Sequence, residues 1–301
     1  MSDITALNKA WGIDKHLSFK LGAGDMPVIE IKNAFAQAVI ALQGAHILSF
    51  QPKGEQALIW MSDDAVFATG KSLRGGIPVC WPWFGAHPSN PSLPAHGPAR
   101  TASWYPTASG ILKDGRTFVR LELEQNTQLQ SMCKQPLSAS LHITIGKSLE
   151  IYLETKNLGD SNVTLGQALH SYFYVSDVRQ VHVEGLDACE YLDKVEGFTR
   201  KQQLGSVTIS QEVDRVYVHA SNHIRIIDSG LKRAIHIHNH GSSSVVVWNP
   251  WAETAAKMGD LGRDGYLNML CVETANAFDD TIILAPGASH VMATEYRIES
   301  I

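Results

Sequence analysis

Leu141–Asn157 reads LHITIGKSLEIYLETKN, and its pattern decides the fold class. Apolar Leu141, Ile143 and Ile145 precede the Gly146-Lys147-Ser148 step, and Leu149, Ile151 and Leu153 follow it, each separated from the next by a different kind of side chain. A period of two puts alternate side chains on opposite faces of an extended chain, so the stretch predicts two half-buried strands around a tight turn. The alternation recurs in FVRLELEQ (Phe118–Gln125). It appears again in HIRIIDSGLKRAIHIHNH (His223–His240) around Asp228-Ser229-Gly230, and in TIILAPGASHVMATEYRI (Thr281–Ile298) around Pro286-Gly287. SSSVVVWNP (Ser242–Pro250) is a β-branched run of the buried-strand type. A helical reading fits residues 252–261 and little else. Many short strands punctuated by turns predict an all-β sandwich. Neither a repeat nor a linker interrupts the 301 residues, so one domain over 1–301 is expected.

Composition narrows the function. Hydrophobic residues make up 44% and charged residues 18%, the latter below the usual quarter, which describes a folded chain rather than a disordered one. A net charge of −5 disfavours a nucleic-acid partner, which would need a basic stripe. Apolar runs are strand-sized, too short for a membrane helix, and MSDITALNKAWGIDKH lacks the pattern of a signal peptide. Cys80, Cys133, Cys189 and Cys271 form no C-x-x-C pair and read as reduced thiols of a cytoplasmic protein.

One segment departs from the strand pattern. Ser72–Arg100, SLRGGIPVCWPWFGAHPSNPSLPAHGPAR, holds half of the chain's 12 prolines and cannot be a central strand. A long ordered loop on a β scaffold is a common carrier of function. Arg74 and Arg100 bracket it, with no acidic residue between them. A guanidinium presents a planar fork to carboxylate or phosphate, so each arginine either meets a distant acid at the surface or awaits an anionic ligand. Gly75-Gly76 would allow close backbone approach to a ligand, and Trp81 and Trp83 either fill core or stack on a sugar ring.

The 13 histidines divide by setting. His236, His238 and His240 share one strand face, but side chains along a face diverge and no cysteine or acid is adjacent, so a solvated face is expected and no metal is assigned. His170, in GQALHSYFYV, sits among apolar and aromatic residues and is expected to be at least partly buried. Glu273, in LNMLCVETAN, sits inside an apolar strand-like run, where a carboxylate needs a partner. Asp214 has Arg215 beside it as a local charge partner. No G-x-S-x-G, P-loop or dinucleotide fingerprint is present. A histidine, a carboxylate and two arginines suit proton transfer on a phosphorylated small molecule, although periodicity does not bring them together.

Taken in order, KSLRGGIPVCWPWFG, HGPAR, LHSYF, DRVY, VVVWNPW and MLCVETAN resemble the glucose-6-phosphate 1-epimerase (hexose-6-phosphate mutarotase) family of the galactose mutarotase-like superfamily. LQGAHILSFQP and DKVEGF also fit, and the likeness runs from about Val28 to Arg297. The resemblance implies an all-β, galactose mutarotase-like supersandwich with few short helices. It implies His170 as general acid and Glu273 as general base, Arg74 and Arg100 on the substrate phosphate, Asp214 on a sugar hydroxyl, and His96 near the sugar ring. Glu273 would be ionised and His170 protonated, the latter favoured by the carboxylate and by bound phosphate. The implied substrate is a hexose 6-phosphate, with no cofactor, metal, nucleic acid or membrane partner, and the protein is expected to be a monomer. Ala95 stands where relatives often carry a glutamine that touches substrate, and Pro98 where phenylalanine is more usual. The rival readings are a 1-epimerase of unphosphorylated aldoses and a sugar-phosphate binder without catalysis.

Overall fold

The hairpin legible at Leu141–Asn157 lies inside a nine-stranded antiparallel sheet of a computed structural model that describes residues 3–133 and 135–301. Strands Leu137–Ile145 and Leu149–Asn157 pair with Ile143 opposite Ile151 and Leu141 opposite Leu153, so both apolar sets face the same way. The sheet runs from Trp104–Ile111 through Thr117–Leu123, this hairpin, Ser289–Ser300, Arg233–His240, His223–Asp228 and Val181–Glu184 to Val207–Thr208. A second sheet, of eight strands, contains Glu190–Asp193, Val213–Val218, Ser244–Asn249 and Met269–Asn276 side by side. Ile143, Leu153, Ile235 and Ile237 of the first sheet share one core with Tyr217, Val245, Val247, Leu270 and Val272 of the second. Each fully buried side chain of this kind contributes about 1.5–3 kcal/mol. A four-stranded meander, Leu17–Leu21, Pro27–Lys32, Ala36–Ala41 and His46–Pro52, adds Ile29, Ile31, Ile40 and Phe50 to the same core.

Two expectations change. Thr281–Ile298 is not a hairpin. Ser289–Ser300 takes Leu149–Asn157 on one edge and Arg233–His240 on the other, which leaves no edge for Ile282–Leu284; that strand pairs with Val163–Leu165 instead. The helix foreseen over 252–261 covers only Trp251–Ala255 and gives way to turns before Gly259 and Gly262. Two helices carry no strand-type signal. Ile4–Trp11 is capped by Asp3, whose side chain accepts from the Thr5 and Ala6 N–H groups, and Thr127–Met132 by Asn126, which accepts from Leu129. No described helix is long and apolar enough to cross a membrane.

The proline-rich segment is ordered loop apart from the two-residue strand Val79–Cys80. Its tryptophans are structural: Trp81 is fully buried and donates to Thr155 Oγ1 at 2.9 Å, and Trp83 donates to the Pro94 carbonyl at 2.9 Å. The two glycines also serve the protein itself. Gly75 has φ +102°, and a Cβ there would lie 2.6 Å from Met61 Cα; at Gly76, with φ +69°, it would lie 2.3 Å from His46 Nε2. The loop is pinned to the meander at this point, where His46 Nε2 donates to the Gly75 carbonyl at 2.8 Å.

Candidate active site

Strand Met269–Asn276 organises the site. Ser244–Asn249 flanks one edge, and two short strands, Gln167–Leu169 and Tyr172–Tyr174, share the other. Ala168 faces Ala275 and Tyr172 faces Cys271, so the same register carried across the break sets His170 opposite Glu273. Directly opposed side chains on one face meet. His170 Nδ1 lies 3.4 Å from Glu273 Oε1, with 13% of the imidazole and 1% of the carboxylate exposed. The ladder opens at His170, whose N–H donates to the Pro78 carbonyl at 3.0 Å and ties the histidine to the loop. Glu273 faces Val246, and Trp248 on that strand faces Asp214 on the next, so one sheet face carries the dyad, the indole and the second carboxylate.

The loop closes over this face and contributes Arg74, His96 and Arg100. All six residues singled out in the sequence line one pocket of about 350 Å³, together with Tyr172, Trp248, Phe84 and Lys194. Sequence reasoning gave the last four no role, although LHSYF, VVVWNPW, KSLRGGIPVCWPWFG and DKVEGF contain them. Tyr172 stacks on His170 with ring centroids 4.9 Å apart and 10° between planes, and Trp248 meets the imidazole edge-on at 5.9 Å. Aromatic walls of this kind hold the histidine and give a flat apolar surface to a ligand.

The family can now be read. The sequence profile of the family described as aldose 1-epimerase matches residues 27–297. The chain belongs to the aldose 1-epimerase family. It is 34% identical over 268 residues to an Escherichia coli protein named "Putative glucose-6-phosphate 1-epimerase", covering 89% of each chain. A Salmonella typhimurium protein of the same name is 37% identical over 257 residues, covering 84% of each. The crystal structure of a "putative mutarotase" from Salmonella typhimurium superposes with a TM-score of 0.90 at 32% identity, over 97% of this chain and 96% of that one. A galactose mutarotase-like protein from Clostridium acetobutylicum shares the fold at a TM-score of 0.74 and 13% identity, over 95% and 98% of the two chains.

Within this aldose 1-epimerase fold, two partnerships differ from the sequence reading. Arg74 does have a carboxylate: its Nε donates to Asp260 Oδ1 at 3.1 Å and its Nη1 to the Tyr172 hydroxyl at 3.0 Å. The acid is 186 positions away, beyond the reach of local pattern. Arg100 keeps the expected character: its Nη2 donates to the Ala95 carbonyl at 2.9 Å, and among the described residues no carboxylate pairs with it. Asp214 pairs with Lys194 at 2.6 Å, not with Arg215, which alternation sends to the opposite face and over the Tyr191 ring. His96 holds φ +65°, and its Nδ1 accepts from the Gly85 N–H at 3.4 Å. Burial, then Arg100, Lys194 and Arg74, push its pKa down to about 3, so it meets a ligand as a neutral group.

Among the protein's own groups, the shifts of the dyad run against the expected charges. Burial, then His96, Arg100 and Arg74, hold His170 well below the usual histidine range. Burial raises Glu273 well above the carboxylate range, with Lys194 opposing and Asp214 adding to the shift. The pocket therefore favours neutral imidazole and protonated carboxyl over the ion pair. The two arrangements differ only in which group carries the titrating proton.

A stability signature follows from these opposite shifts. A carboxyl whose folded pKa is raised supports folding below its unfolded value of 4.5, and that support is lost as pH rises toward the folded pKa. The depressed His170 behaves inversely: its contribution is present above 6.5 and is lost as pH falls through and below that value. Glu273→Gln, which mimics the protonated acid, is therefore expected to raise the melting temperature, by more at pH 8 than at pH 5. A gap independent of pH would mean that Glu273 is ionised at rest.

Proposed function

We propose that the protein interconverts the α and β anomers of hexose 6-phosphates, chiefly glucose 6-phosphate, by acid–base ring opening and reclosure. It does so as a single-domain monomer that acts in the cytoplasm with its cysteines reduced. The supporting observation is a convergence of unsatisfied groups: among the described residues His170 Nδ1, Glu273 Oε2 and Asp214 Oδ1 are buried without hydrogen-bond partners, and all three belong to one pocket rimmed by Arg74, Arg100 and Lys194. Buried polar atoms are almost always paired, so three orphans in one cavity are places for the hydroxyls of a ligand. The cations suit its phosphate.

The chemistry needs one acid and one base. Glu273, as carboxylate, takes the proton of the anomeric hydroxyl O1 while His170, as imidazolium, gives one to the ring oxygen O5. The C1–O5 bond breaks as C1=O1 forms. Rotation about C1–C2 presents the other carbonyl face, and reclosure reverses both transfers. The proton count is conserved throughout. After opening, Glu273 is protonated and His170 neutral, which is the state that burial favours. The apolar setting thus stabilises the dyad in the form that accompanies the open aldehyde. A bound phosphate dianion offsets the Arg74 and Arg100 charges that help to hold His170 deprotonated, and so moves the dyad toward its working form. Asp214, held by Lys194, accepts from a sugar hydroxyl, and His96 contacts the ring as a neutral partner.

Exchange NMR on the 6-phosphates of glucose, galactose and mannose, with free glucose as control, tests this reading. Contacts to charged groups are worth about 1.5–3 kcal/mol each, so with two arginines on the phosphate kcat/KM for glucose 6-phosphate should exceed that for glucose by at least about 100-fold. Equal values would reassign the enzyme to unphosphorylated aldoses. Saturable binding without exchange would make it a sugar-phosphate binder.

A further inference from the structure

The histidine-rich strand Arg233–His240 acquires a third partner in the fold. His238 lies directly opposite His223 on the neighbouring antiparallel strand, and His236 is two positions along. One ring nitrogen from each of His223, His236 and His238 falls within 4.8 Å of the others. His240, expected on the same face, is not part of this group. The cluster belongs to the nine-stranded sheet, on the face away from buried Ile224, Ile226, Ile235 and Ile237, whereas the candidate active site is built on the eight-stranded one. We propose that His223, His236 and His238 form a binding site for a divalent transition metal, zinc foremost, separate from the sugar-phosphate pocket.

Three features support the assignment. Three imidazoles are a complete protein ligand set for zinc, with the fourth position left to water or an exogenous ligand. His223 Nε2 and His236 Nδ1 are already 3.0 Å apart. Ligand nitrogens of a tetrahedral zinc, each at ~2.0–2.1 Å from the metal, lie about 3.4 Å from one another. His236 is also oriented from behind. Its Nε2 donates to Glu299 Oε2 at 2.6 Å, which leaves Nδ1 as the unprotonated nitrogen facing His223. A carboxylate behind a metal-binding histidine fixes the tautomer and raises ligand basicity. The cross-strand contact is then an N–H donated by His223 to His236, and a metal takes the place of that proton as His223 changes tautomer.

The surroundings tolerate a dication. Arg225 and Arg297 both face His236 across the sheet, but Arg225 is paired with Glu184, Glu295 faces His238, and Glu299 completes three carboxylates against two cations. One adjustment is required. The His238 ring stacks on His223 at 4.1 Å with 6° between planes, so its lone pair runs parallel to its neighbour's rather than toward a common point. His238 is exposed, and a rotamer change redirects it without disturbing the core.

The test is zinc titration of the full chain without a histidine tag, by calorimetry and by competition with a chromophoric chelator. Visible absorption of the cobalt(II) form reports the geometry. One zinc per chain with affinity on the order of micromolar is expected. His238→Ala and His223→Gln should each abolish it, and Glu299→Gln should weaken it about 10-fold. All three changes lie on the outer face, and near-ultraviolet circular dichroism establishes that each variant is folded. Absence of saturable binding below about 100 µM, or equal binding by the His223→Gln/His238→Ala double variant, would overturn the assignment.

Discussion

Glu273→Gln is expected to reduce kcat for anomer exchange of glucose 6-phosphate by about 10²–10⁴-fold, with KM changed little, because a positioned acid or base contributes on that scale. The amide keeps the volume of a group that is 1% exposed, so the pocket is preserved while the proton acceptor is lost. The loss falls in kcat because the proton moves only on the way to the transition state. His170→Ala should cost a similar factor. It also removes the ring stacked on Tyr172 at 4.9 Å, so His170→Asn is the companion that separates lost acid from lost packing. Since each ring opening needs both proton transfers, the double variant should be scarcely slower than the worse single one, which is the mark of residues acting as a unit. Exchange spectroscopy reads all four rates above the uncatalysed background. Unchanged exchange in Glu273→Gln would remove the proposed base and the mechanism with it.

The same substitution is expected to stabilise the fold at alkaline pH. A buried carboxyl with its Oε2 unpaired is a poor choice for stability and a good one for catalysis. The convergence of a kinetic loss and a thermal gain at one residue separates a catalytic carboxyl from a structural one. A structural carboxylate would lose stability when neutralised.

Period-two alternation made most of the sheet legible, because one face of each strand meets a core and the other does not. It located both strands of Leu141–Asn157 and of His223–His240, with Ile235 and Ile237 inward and His236 and His238 outward. It could not say which strands pair. Thr281–Ile298 has the punctuation of a hairpin, yet partner choice depends on edges supplied by strands more than a hundred residues away. The site residues were legible through their oddness: a carboxylate in an apolar run, a histidine among aromatics, arginines in a loop without acids. Their partners were not. Asp260 reaches Arg74, and Lys194 reaches Asp214, through contacts that only the folded chain creates. The resting charge balance of the dyad was not legible for a related reason. The expectation weighed the attraction between His170 and Glu273 but not their common burial, and burial is the largest effect on both.

Arg100→Ala is expected to lower kcat/KM for glucose 6-phosphate by about 10–100-fold while changing that for free glucose less than about threefold, the range set by a contact to a charged group. The two arginines are not equivalent. Arg74 is already engaged by Asp260 and Tyr172, so its removal would leave a carboxylate and a buried phenol unpaired and mix structural damage with lost affinity. Arg100 touches the Ala95 carbonyl and, among the described residues, pairs with no carboxylate, which makes it the cleaner probe of the anion. Its charge also helps to hold His170 deprotonated, so the acid limb of the rate profile should move to higher pH in the variant. Uniform loss of phosphate binding appears in KM; failure to offset the arginine charges on His170 appears in kcat. Free glucose, which brings no phosphate, should therefore be turned over more slowly than glucose 6-phosphate even at saturation. An equal loss on both substrates would show that Arg100 serves the dyad or the loop, and that the anion is held elsewhere.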